Sequence, residues 1–116
     1  FGLHGAQPVF ALPGNPVSVL VCLARYVIPA LGRLVGAPER PPRTAVLARE
    51  FRFDKALTCF LPVKLGYDQQ GRTIAEPRPT HGSGDFIALA GTDGFVELPP
   101  GPATHAAGLV VSFHRW

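Results

Sequence analysis

A chain of 116 residues holds one domain, or one small domain with a piece of another. Hydrophobic residues make up 47% and charged residues 16%, an ordinary globular mix with a thinly charged surface. The net charge of +3 mildly favours anionic ligands, but no Lys/Arg run and no basic stripe with interleaved aromatics occurs, so nucleic acid is not the expected partner.

Residues 1–7 read as a loop, with Gly2, Gly5 and His4. Residues 8–12 read as a strand, and residues 16–35 as a helix that is apolar almost all round, its polar stripe reduced to Ser18, Arg25 and Arg33. Such a helix is expected to be covered on most sides, by sequence outside this chain or by a second subunit. Its longest uninterrupted apolar run is residues 19–24, so no membrane span is expected. Pro29 lies mid-helix and predicts a kink.

Gly36 stops the helix, and the prolines at 38, 41 and 42 predict a stiff linker. Beyond it, residues 44–53 and 58–65 read as strands, the second with Cys59, Leu61, Val63 and Leu65 on one face. Residues 67–71 read as a hairpin turn into a strand at 72–76, and residues 86–90 as a short helix capped at Asp85. Strands follow at 95–98 and 109–115, with His105 in the loop between them. About five short strands predict a small β-barrel or curled sheet of about 80 residues.

Two turns could hold an anion. In Leu12-Pro13-Gly14-Asn15-Pro16-Val17-Ser18, Asn15 can cap the helix and Pro16 falls at its first position. Ser18 lies in the first turn, where backbone N–H groups lack partners and the helix dipole is positive, and Gly14 keeps the approach open. In His81-Gly82-Ser83-Gly84-Asp85, two glycines flank a serine and allow a concave set of amides. Each turn can equally be a plain connection or cap.

No phosphate loop and no G-x-S-x-G elbow occurs. The four histidines show no metal-ligand spacing, and the charges at Asp54, Lys55, Asp68 and Asp93 read as solvated turn residues. Cys22 and Cys59 are expected as free thiols in a reducing cytoplasm. The absence of Met and the start at Phe1 are expected of a segment of a longer chain.

Residues 8–18 closely resemble the LPGNPVS segment of the molybdopterin molybdenumtransferase (MoeA) family, which includes the gephyrin E domain. The helix behind them, residues 81–86 with Leu89 and Ala90, and residues 93–99 are similar to the same family in order and spacing. The resemblance implies an α+β chain: residues 1–36 as the last strand and helix of the catalytic α/β domain, residues 37–116 as a small barrel-like C-terminal domain. It implies insertion of molybdate into adenylated molybdopterin with release of AMP, aided by Mg²⁺, in a cytoplasmic homodimer with the cleft at the dimer contact. Pro13, Gly14, Asn15 and Pro16 would then line the cleft, with Ser18 a hydroxyl donor to molybdate and Ser83 a second. Many members carry an arginine where this chain has Pro62, with Lys64 or Lys55 as replacements. The family's KPGKP segment and its acidic cation ligands are not in this chain, so this piece alone is expected to be inactive. Two rival readings are a non-catalytic interaction or dimerisation module and a generic phosphate-binding domain.

Overall fold

The computed structural model describes residues 1–38, 41–80, 85–101 and 103–116. The N-terminal residues form a hairpin rather than a loop. β1 (Gly2–His4) pairs antiparallel with β2 (Gln7–Val9), and Gly5, at φ 60°, makes the two-residue turn. The strand expected at 8–12 therefore ends early, at Val9, and residues 10–15 run without regular structure to the helix.

The long helix is built in three joined pieces: α1 (Pro16–Cys22), a π-helical turn (Leu23–Val27) and α2 (Ile28–Leu34). The disturbance expected at Pro29 falls one turn earlier. Pro29 cannot donate to the Arg25 carbonyl, and its ring crowds that carbonyl. The turn widens, and the Ile28 amide reaches back five residues to Leu23 O. Gly36, at φ 70°, closes the helix as the sequence predicts.

Val21 is the one buried residue of this helix among the described residues. Tyr26, Ile28, Leu31 and Leu34 are exposed. Over its 19 residues the helix is long and apolar enough to cross a membrane, a length-and-composition test that core helices of soluble proteins also pass. Counting only the uninterrupted run at 19–24 understates how apolar it is.

The other half is a closed five-stranded barrel in the order β3 (Arg43–Leu47), β6 (Thr73–Pro77), β5 (Cys59–Tyr67), β7 (Gly94–Leu98), β9 (Val110–Arg115), returning to β3. Only the β3–β6 contact is parallel. Alternate residues point inward, and Ala45, Leu47, Leu61, Val63, Ala75, Val96, Leu98, Val111 and Phe113 form one core.

The strand expected across 44–53 is two. The chain bends after Leu47, and β4 (Phe51–Arg52) leaves the barrel to pair with β8 (Thr104–His105). His105, expected in a loop, is a buried strand residue. Residues 87–89 form a short 3-10 turn (Ile87–Leu89) whose Ala88 amide donates to Asp85 Oδ1 at 3.2 Å.

Candidate functional site

The helix start is an exposed turn. Asn15 is extended, at φ −81° and ψ 125°, and its Oδ1 accepts the Ser18 amide at 3.2 Å. The Val19 amide donates to Asn15 O at 2.9 Å, and Pro16 has no N–H to satisfy. The cap forms as the sequence predicts, with a consequence for ligand binding. The Ser18 amide is the first-turn donor that Asn15 engages. That leaves the Val17 amide and the Ser18 hydroxyl, neither of which has a partner among the described residues. A Cβ placed on Gly14 would meet nothing within 4 Å, so the approach is open. Pro13, Gly14 and Pro16 are exposed, and Asn15 and Ser18 half-buried, all within one turn. Ser83 and the rest of the second turn, 81–84, lie outside the described residues.

Arg25 joins the helix to the barrel. Its Nε donates to Glu97 Oε2 at 2.8 Å, and the same oxygen lies 3.3 Å from His114 Nε2. A carboxylate oxygen is an acceptor, so the proton of a neutral His114 ring sits on Nε2. The ring stacks on Phe95 at 5.0 Å and 18°. Burial, with help from the Arg25 guanidinium, lowers the His114 pKa, and Glu97 opposes this in part. Arg25 was legible only as a break in the apolar stripe; nothing in its spacing pointed to Glu97, 72 residues away.

Two charges expected to be merely solvated hold turns together. Asp93 accepts the Leu65 amide at 2.8 Å and Lys64 Nζ at 3.1 Å, and these contacts lower its pKa. Asp68 accepts the Gln70 and Arg72 amides at 2.9 Å each, and Arg72 Nε as well. Lys64, one candidate for the missing cation beside Pro62, is thus the partner of Asp93, while Lys55 lies in the bend between β4 and β5.

A groove of about 510 Å³ runs between the N-terminal segment and the helix, lined by Phe1, Phe10, Tyr26, Pro29, Arg25 and Arg33 among others. Cys22 and Cys59 are free and half-buried, and burial pushes the Cys59 thiol up to about 11. Among the described residues no group of three or more His, Cys, Asp or Glu could hold a metal ion. The residues described here therefore do not fit a Mg²⁺ site.

A closed barrel of five short strands, preceded by a long apolar helix with an open capped start, defines a small β domain with a helical N-terminal segment. The sequence profile of the MoeA C-terminal region (domain IV) matches residues 44–116. The chain belongs to the MoeA family. It is 46% identical, over its whole length, to the molybdopterin molybdenumtransferase of Synechocystis, of which it covers 28%. It is 33% identical over 92% of its length to molybdopterin molybdenumtransferase 2 of Mycobacterium tuberculosis, covering 26% of that protein. The molybdopterin biosynthesis moeA protein of Pyrococcus horikoshii OT3 superposes with a TM-score of 0.67 at 25% identity, over 89% of this chain and 26% of that one. The chain thus spans about a quarter of the length of these relatives.

Proposed function

We propose that this chain is the C-terminal part of an enzyme of molybdenum cofactor biosynthesis that inserts molybdate into adenylated molybdopterin and releases AMP. The observation that carries this reading is the 46% identity, across the whole chain, to a protein named molybdopterin molybdenumtransferase. Residues 1–36 are read as the end of the catalytic α/β domain and residues 37–116 as its C-terminal β domain. The exposed helix face of Tyr26, Ile28 and Leu31 supports this, because an apolar stripe of that width needs a covering layer. That layer is assigned to the rest of the α/β domain and to a second subunit of a homodimer.

The helix start is the part of the cleft that this chain supplies. Pro13, Gly14, Asn15 and Pro16 form its wall. The Ser18 hydroxyl and the Val17 amide donate to oxygens of molybdate, the substrate, with Ser83 a second hydroxyl from the β domain. Fixed donors of this kind hold a tetrahedral oxyanion in place while it exchanges an oxygen for dithiolene sulfur. Since Asn15 already takes the Ser18 amide, the hydroxyl carries more of the binding than a bare helix end would require. Mg²⁺ ligands are assigned to residues outside this chain, and the enzyme to the cytoplasm.

The test is molybdate-dependent AMP release from adenylated molybdopterin by the intact protein. Ser18→Ala is expected to lower it and to weaken molybdate binding by about 1 kcal/mol, the worth of one donor. Unchanged AMP release in that variant contradicts the role of Ser18, and no release by the unmutated protein overturns the whole reading.

A further inference from the structure

The inward face of the barrel continues past its apolar core. On β5 the inward residues are Leu61, Val63 and Leu65, and the next in series is Tyr67; on β9 Val111 and Phe113 lead to Arg115. On β3 Leu47 and Ala45 lead back to Arg43, and on β6 Pro77 and Ala75 lead back to Thr73. β3 and β6 are parallel, and β9 and β5 run antiparallel to them. All four next positions therefore fall at one end of the barrel.

The fifth strand adds no side chain to that end. On β7 the residue in series with Val96 and Leu98 is Gly94, where a Cβ would stand 2.0 Å from His114 O and 2.8 Å from Phe113 Cε2. The result is a mouth of about 300 Å³ with an apolar floor of Leu65 and Phe113 and a rim of Arg43, Arg115, Tyr67 and Thr73.

The charges there are unbalanced. Arg25, Arg49 and Arg72 are paired with Glu97, Glu76 and Asp68. Arg43 and Arg115 make no ion pair among the described residues. Asp93 senses Arg115, but its carboxylate contacts the Leu65 amide and Lys64. Two guanidinium groups on one rim without a carboxylate partner among the described residues favour an anion there. Guanidinium forks match the oxygens of a tetrahedral anion, and the hydroxyls of Thr73 and Tyr67 can serve its remaining oxygens.

We propose that this mouth binds a phosphoryl group, free as inorganic phosphate or carried by a small phosphate monoester. A doubly charged anion balances the two arginines. None of the lining residues belongs to the turn at 13–18, so this site stands or falls separately from the helix start.

The test is titration of the intact protein at low salt with inorganic phosphate and with glycerol phosphate, read by calorimetry. Arg43→Gln and Arg115→Gln are each expected to weaken binding about tenfold. Arg49→Gln, at the other end of β3, is expected to leave it unchanged. The two mouth arginines are exposed, so an unshifted melting temperature will show that the fold is intact. Tighter binding of the monoester assigns the mouth to a phosphorylated ligand and equal binding assigns it to the free anion; both uphold the site. No uptake of either compound, binding unchanged in both mouth variants, or an equal loss in Arg49→Gln overturns it.

Discussion

Arg25 Nε and Glu97 Oε2, 2.8 Å apart, tie the middle of the apolar helix to the wall of the barrel, and His114 closes on the same oxygen. The pair is about one-third exposed, with side-chain values of 37% and 27%, so solvent screens it. Glu97→Ala removes the acceptor of two groups at once. The expected cost is about 1 kcal/mol. Hydrogen exchange should quicken in the helix while the barrel amides stay protected. Equal quickening in both would show that the contact does not join two separately stable parts.

The second prediction concerns acid. The folded-state pKa of His114 lies below the ordinary imidazole value of 6.5. The unfolded chain therefore takes up the proton first as pH falls. The neutral ring's contribution to stability is complete above 6.5 and is lost between that value and the lowered folded pKa. Urea unfolding followed from pH 7.5 downward, about one unit above 6.5, should show this decline, and His114→Gln should remove it. A decline of the same size in the variant would assign it to other groups.

Gly94→Ala should be severe. Its Cβ would lie 2.0 Å from the carbonyl oxygen of His114, a backbone atom that cannot turn aside. We expect a loss of about 3 kcal/mol in chemical denaturation, in the range of a core overpacked against main chain. A loss below about 1 kcal/mol would mean that β7 and β9 can separate locally.

Cys59 should react slowly. With its thiol raised to about 11 from 9.0, the thiolate is about a hundredfold scarcer than in an unperturbed cysteine at neutral pH. Alkylation by iodoacetamide should be correspondingly slow in the native protein and rise on unfolding. Native reactivity equal to that of the unfolded chain would contradict the burial of Cys59.

The barrel was legible in the sequence because its signals are local. Alternation in 58–65 and 109–115 and the turn at 67–71 marked strands with little dependence on distant residues. The split of 44–53 was not legible, because β4 leaves the barrel only to meet β8, some 50 residues on. The hairpin at 1–9 was missed because three-residue strands carry too little periodicity to register. At the site, the Asn15 cap followed from residue type and position, whereas the Arg25–Glu97–His114 contact depends on how a helix lies against a barrel. The polar barrel mouth was readable only after strand register was known: Arg43, Tyr67, Thr73 and Arg115 share no spacing along the chain.

The most direct measurement is anomalous diffraction from crystals of the intact protein soaked in tungstate, a heavy stand-in for molybdate. We expect a peak beside residues 13–18, with a tungstate oxygen in hydrogen-bond reach of the Ser18 hydroxyl, whose occupancy falls in Ser18→Ala at limiting tungstate. Tungstate bound elsewhere with this turn empty, or undiminished occupancy in the variant at limiting tungstate, would contradict the helix start as the oxyanion receptor.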